Sequence, residues 1–287
     1  VPLVDANSLT IRYETHGHPE HPTVLLVCGL GTQQVAWPEE WISALTSRDL
    51  HVITFDNRDV GLSTHLDHMP VDVTALLSGE ASAPYLIADM AADARGLVDA
   101  LGLSEVHVVG VSMGGMIAQQ FAIDNQDVTR SLTSIMSTPD PNNVGQATPE
   151  ALAMLLRPRA TTYEQYLADE FTSWELLSGP VLPVPRERVE LLAERSWPAR
   201  NPEGVMRHMA AVVTSPDRRP GLSSLTMPAL VIHGEVDQLV TISGGEATAE
   251  AMPHATFLRY EHMGHALHDE LMDEQADHIA ALIASTH

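Results

Sequence analysis

Lysine is absent from this chain of 287 residues: all 15 basic residues are arginine, against 38 Asp and Glu, for a formal charge of −23. Schiff-base and pyridoxal-phosphate enzymes, Walker-A nucleotide binders and protein kinases each need a lysine amine at a defined point, so these classes are excluded. The arginines are scattered along the chain. Nucleic acid, whose phosphates need clustered cations, is therefore not an expected partner, and an anionic membrane surface would repel the chain. Cysteine is almost absent too. The single Cys28 forbids an intrachain disulfide and fits a reducing compartment, so a cytoplasmic protein is expected. No apolar run approaches the ~18 residues of a membrane span, and the first residues show no charged-then-apolar leader. Charged residues make up only 18% of the chain, below the usual value of about 25%. The net charge thus reflects missing cations more than added anions, as a codon bias towards Arg, Ala and Val would produce without any halophilic adaptation.

Apolar residues make up 44%, enough for a buried core in one large or two small domains. Short apolar runs read as strands at Ser8 to Thr15, Thr23 to Val27, His51 to Phe55, Val106 to Val109, Ser131 to Met136, Ala229 to His233 and Thr256 to Tyr260. Helical spacing lies between them. Ile87, Met90, Ala91, Ala94, Leu97, Val98 and Leu101 fall on one helical face, and Gly102 is placed to stop that helix. Further helices are expected over Trp37 to Thr46, with Pro38 in the first turn, over Met113 to Asn125 and over Glu270 to Ser285. Strands of four to six residues alternating with helices predict an α/β architecture with a mostly parallel central sheet covered on both faces. The interval from Pro139 to Pro220 differs: it holds 11 of the 19 prolines among helical stretches such as Tyr163 to Leu177 and Arg186 to Arg195. It reads as an inserted helical cap, giving a core domain of residues 1–138 and 223–287 and a cap of 139–222.

Val106-His107-Val108-Val109-Gly110-Val111-Ser112-Met113-Gly114-Gly115 carries a G-x-S-x-G between a strand and a helix. In that context a sharp, strained turn exposes a serine at the sheet edge. Glycine is needed at 110 and 114 because the turn crowds backbone segments together, and the helix N-terminus behind Ser112 favours developing negative charge. An ordinary Gly-rich turn with a capping serine is the competing reading. A serine nucleophile needs a histidine base and an orienting carboxylate. Asp237 follows the strand Ala229 to His233, and His265 follows the last strand, 125 and then 28 residues further on. Their order, Ser then Asp then His, and their places after strand ends would let them converge. Glu235 and Asp140 are rivals for the acid, and His262 and His268 for the base.

At these residues the chain resembles the α/β-hydrolase superfamily over nearly its whole length. The resemblance rests on Cys28-Gly29-Leu30-Gly31, Asp56-Asn57-Arg58-Asp59-Val60-Gly61-Leu62-Ser63, the turn at Ser112, His233-Gly234-Glu235-Val236-Asp237, and Met263-Gly264-His265. Within it, Trp37-Pro38-Glu39-Glu40, Asn57-Arg58-Asp59 and Val111-Ser112-Met113-Gly114 look most like the aclacinomycin methylesterase group, which removes methyl esters from polyketides. The resemblance implies an oxyanion hole formed by the backbone N–H groups of Leu30 and Met113. It also implies catalysis without a cofactor. Many relatives carry His-Gly where this chain has Cys28-Gly29, a change that leaves a backbone donor in place.

Other chemistries fit less well. Cys28, at the end of an apolar strand with no flanking His or Arg, reads as an inert buried thiol. The clusters His16/His18/His21 and His262/His265/His268 lack the ligand mix of a zinc site. The turn Asp56 to Ser63 reads as structural, held by Arg58 and its Asp side chains. Trp174, Leu176, Leu177, Val181, Leu182, Leu191 and Trp197 could line an apolar pocket or pack the cap. The reading that results is a serine carboxylic-ester hydrolase for a neutral, apolar small-molecule ester. A cofactor-free perhydrolase or C–C bond hydrolase shares the same triad, and a non-catalytic ligand-binding homologue shares the fold. An aspartate-nucleophile dehalogenase or epoxide hydrolase is disfavoured by the serine. The sequence leaves the oligomeric state open.

Overall fold

The apolar runs become the centre of a sheet. In the computed structural model, which describes residues 1–72 and 82–286, eight strands lie in the order β1-β2-β4-β3-β5-β6-β7-β8. They are β1 (Leu3–Ala6), β2 (Leu9–His16), β3 (Thr23–Val27), β4 (His51–Phe55), β5 (Val106–Val111), β6 (Thr129–Ile135), β7 (Ala229–Gly234) and β8 (Ala255–Tyr260). The pairs β1/β2 and β2/β4 are antiparallel, and from β4 onward every pair is parallel. This is the α/β-hydrolase fold class expected above.

Parallel strands buried on both faces are mostly apolar, and β3 and β4 are buried throughout, with Thr23 and His51 at their starts hydrogen-bonded to each other at 3.1 Å. Their side chains alternate between two cores. Leu25, Val27, Ile53 and Phe55 pack with α2 (Ile87–Ala100) and α3 (Met113–Asp124) on one face. Val24, Leu26 and Val52 pack on the other face with α1 (Glu39–Thr46) and α10 (Asp269–Ala284). Each such Val, Leu or Ile contributes about 1.5–3 kcal/mol of burial. The predicted apolar stripe of α2 is the buried one, and Gly102, at φ +68°, lies just past its end.

Two expectations are corrected. The first strand read from the sequence is one arm of a hairpin, because Asn7 and Ser8, at φ 47° and 65°, make a two-residue turn that pairs Ala6 with Leu9. The helix expected from Trp37 begins at Glu39, with Pro38 at its N-cap and a short 3₁₀ turn over Gln34–Ala36 ahead of it.

Between β6 and β7 the chain is helical: α4 (Pro149–Leu156), α5 (Tyr163–Ser178), α6 (Arg186–Ser196), α7 (Pro202–Thr214) and α8 (Arg219–Leu222). Several prolines of this interval serve as starts. Pro149 and Pro202 occupy the first turns of α4 and α7, where no N–H is needed, behind the capping side chains of Thr148 and Asn201. Helix α9 (Ser243–Ala251) follows β7. Among the described residues no helix is long and apolar enough to cross a membrane.

Candidate active site

The turn from β5 into α3 holds Ser112 at φ 57° and ψ −124°, a left-handed conformation that strains a residue with a side chain. Its neighbours explain how the strain is held. A Cβ on Gly110 would lie 2.0 Å from Gly114 O, and one on Gly114 would lie 2.1 Å from Val27 O. The backbone is pinned further by Ser112 N–H donating to Ile135 O at 2.9 Å and by Ser137 Oγ donating to Ser112 O at 2.7 Å.

The sheet brings three side chains into one line. His265 Nε2 is 2.9 Å from Ser112 Oγ, and His265 Nδ1 is 2.7 Å from Asp237 Oδ2. The other carboxylate oxygen of Asp237 accepts the N–H groups of Leu239 and Val240 at 2.8 and 2.9 Å. Burial alone would raise the Asp237 pKa, but the charge and hydrogen bonds of His265, together with His233, outweigh it and lower the value to about 2. Asp237 is therefore an anion that can fix the imidazole tautomer and stabilise its protonated form. Two glycines let the loops close. A Cβ on Gly234 would meet Met263 O at 1.9 Å, and one on Gly264 would meet Leu177 O at 2.1 Å. His265 is anchored from the helical interval as well, its N–H donating to the same Leu177 carbonyl at 2.6 Å.

The rivals lie elsewhere. Glu235 is exposed and pairs with Arg259, while Asp140 is buried against Asn143 and Arg219. His262 is exposed; His268 is buried and accepts the Gly264 N–H at 3.2 Å, steadying the residue next to His265. The loop after β3 runs beside the serine, since a Cβ on Gly29 would lie 3.3 Å from Ser112 Cβ. The N–H groups of Leu30 and Met113 have no acceptor among the described residues. Cys28 is buried, and burial, reinforced by Asp56, pushes its thiol pKa up, so it is not a nucleophile at neutral pH. The Cys28 carbonyl accepts Asn57 Nδ2 at 3.1 Å, which ties this loop to the Asp56–Ser63 turn.

That turn is held by its Asp side chains, as expected, but not by Arg58. Asp56 accepts the N–H groups of Gln34 and Leu62, and Asp59 accepts from Leu66 N–H, Tyr85 Oη and Arg207. Arg58 leaves the turn to pair with Asp93 of α2. Among the described residues no group of three or more His, Cys, Asp or Glu is placed to hold a metal ion.

A cavity of 360 Å³ opens over Ser112 and His265. Of the seven apolar residues singled out in the helical interval, only Trp174 and Leu177 line it. Val181 and Leu191 are exposed. The sequence reading missed its polar wall of Arg157, Arg159, Tyr166, Glu170 and Arg200, because helical periodicity marks only apolar faces, and Arg157, Arg159 and Arg200 lie on connections that carry no periodicity at all.

Comparison with known proteins agrees with this architecture. Residues 22–270 match the family described as alpha/beta hydrolase fold. The chain is 27% identical to the rhodomycin D methylesterases of Streptomyces sp. (strain C5) and of Streptomyces peucetius, in each case over 92% of both chains. Among solved structures it is similar to the enol-lactonase from Burkholderia xenovorans LB400, with a TM-score of 0.72 at 21% identity over 99% of both chains.

Proposed function

The chain belongs to the α/β-hydrolase fold family, and from that membership we propose that it is a serine carboxylic-ester hydrolase working through an acyl-enzyme intermediate. The observation that carries the reading is the unbroken line from Ser112 Oγ through His265 to Asp237, with the strained serine facing a cavity. In this reading His265 Nε2 takes the Ser112 proton as Oγ attacks the ester carbonyl. The N–H groups of Leu30 and Met113 hold the tetrahedral oxyanion, donors contributing on the order of 3 kcal/mol each. Collapse breaks the ester C–O bond as His265 returns the proton to the departing alkoxide. Water, deprotonated by the same histidine, then frees the acid and restores Ser112. No step requires a cofactor. The region 139–222 acts as the cap, with α4, α5 and α6 supplying the wall opposite the serine. The similarity to two methylesterases supports a methyl ester as the reacting group.

Covalent labelling with a fluorophosphonate tests the reading directly. We expect stoichiometric labelling of the wild type and none in Ser112→Ala, with loss of methyl-ester hydrolysis in the same variant. An unlabelled wild type would overturn the assignment in favour of a non-catalytic binding protein.

A further inference from the structure

The chain carries a net charge of −23, yet its cavity does not share that sign. Four arginines line it, Arg157, Arg159, Arg188 and Arg200, against two acids, Asp169 and Glu170. Two of the arginines are compensated: Arg157 lies 3.8 Å from Asp169, and Arg188 pairs with Asp269. Arg159 and Arg200 have no carboxylate within ion-pair distance among the described residues. Arg159 donates one nitrogen, Nη2, to Leu155 O at 3.1 Å and rests it against the sulfurs of Met206 and Met209. Arg200 donates Nη1 to Ala160 O at 2.9 Å and stacks 3.8 Å from the centre of the Trp197 ring. The remaining guanidinium N–H groups of both side chains have no protein acceptor among the described residues.

A half-buried guanidinium without a counter-charge is costly to keep, and burial followed by the nearby charge of Arg157 shifts the Arg159 pKa down. Glu170 does not supply the missing anion. It lies within ion-pair distance of neither arginine among the described residues; it accepts Trp174 Nε1–H at 3.2 Å, and burial pushes its pKa up. Both arginines are held in place, Arg200 by its stack on Trp197 and Arg159 by its carbonyl and sulfur contacts. A planar fork fixed in this way matches a carboxylate in geometry and charge.

We propose that Arg159 and Arg200 form a carboxylate-binding subsite in the wall of this cavity, so that the substrate is an ester bearing a second, ionised carboxyl group. This rests on the serine-esterase reading and revises the neutral ester expected from bulk charge. The local field of the cavity is set by the residues that line it, while the acidic surface lies in water and is screened within about 10 Å.

The test compares monomethyl esters of adipic, suberic and sebacic acids with the corresponding dimethyl esters, which present the same reacting group without the charge. In the wild type we expect kcat/KM to favour the monoanionic ester of at least one chain length by roughly tenfold or more, mainly through KM. That ratio should collapse towards one in Arg159→Gln and Arg200→Gln, and be retained in part in Arg159→Lys. Arg186→Gln removes an exposed cap arginine that stacks on Phe171 and does not line the cavity, so it should keep the wild-type ratio. A wild type that prefers the neutral diester at every chain length, or a ratio unchanged in both Gln variants, overturns the subsite. Failure of the esterase reading gives a different pattern, with neither ester cleaved and no fluorophosphonate labelling.

Discussion

His208 joins two loops through one ring. Its Nδ1 accepts the Gly31 N–H at 3.2 Å, and its Nε2 lies 2.8 Å from the Arg58 carbonyl and must carry the proton to bond it. Gly31 follows Leu30, so the ring steadies the loop whose Leu30 N–H is proposed as an oxyanion donor. Only the neutral tautomer makes both bonds, and burial lowers the His208 pKa to about 4. The unfolded chain binds a proton here near pH 6.5, which the folded chain refuses until about pH 4. Stability from this group is therefore complete above pH 6.5 and is lost as the pH falls towards 4, by about 3 kcal/mol in all. Urea unfolding between pH 7 and 4 should show that loss in the wild type and a shallower one in His208→Asn, whose Oδ1 can still accept from Gly31. Identical pH profiles for the two proteins would remove His208 as the source.

At the level of elements, α7 shows why position along the chain misleads about packing. It lies in the proline-rich interval between β6 and β7, yet it is bonded to the Asp56–Ser63 turn. Arg207 Nε and Nη2 reach the two oxygens of Asp59 at 2.9 and 2.7 Å, and Arg207 also pairs with Asp67. A Cβ on Gly204 would meet Asp59 O at 2.1 Å, so the helix axis approaches the turn backbone closely. The Arg207→Met variant would leave Asp59 buried with only Tyr85 Oη and Leu66 N–H for partners. We expect it to lose ~3–5 kcal/mol, read as a lower urea midpoint. A loss below about 1 kcal/mol would mean that the turn holds without the arginine. The α3 end of the site has a comparable constraint. Gly114→Ala places a methyl against the carbonyls of Val27 and Cys28, so we expect no correctly folded protein, judged by circular dichroism and the loss of a cooperative melt.

The same contrast separates what was legible from what was not. Strands β3 and β4 were read to the residue because their burial on both faces leaves short, mostly apolar and β-branched runs. The β1 arm of the hairpin was missed because Leu3–Ala6 is short and half exposed, and its signal is the backbone preference of Asn7-Ser8, not a hydrophobic pattern. Among the site residues, Ser112 announces itself by its glycines. Asp237 and Glu235 do not differ in any local pattern; the loop that buries one beside His265 turns the other towards solvent and Arg259.

For the molecule as a whole, the excess of 38 acids over 15 arginines makes self-repulsion a general burden. Many of the arginines are committed to specific partners, such as Arg58 with Asp93 and Arg207 with Asp59, so few are left to neutralise the surface. Screening should therefore stabilise the fold. We expect Tm to rise by a few degrees between low-salt buffer and about 0.5 M NaCl in differential scanning fluorimetry. A Tm that falls with salt would indicate that favourable surface ion pairs dominate instead.

The sequence alone determined the α/β architecture, the serine of the strand-to-helix turn with its candidate acids and histidines after later strands, and the exclusion of lysine chemistry, since each depends on local patterning or composition that needs no partner. Only the tertiary structure decided which acid and which histidine stand in line with Ser112, that α7 is fastened to the Asp56–Ser63 turn, and that an acidic protein carries a cavity with two arginines uncompensated among the described residues. Those outcomes depend on residues tens to more than a hundred positions apart meeting across loops, where side-chain direction is set by packing and not by neighbours in the chain.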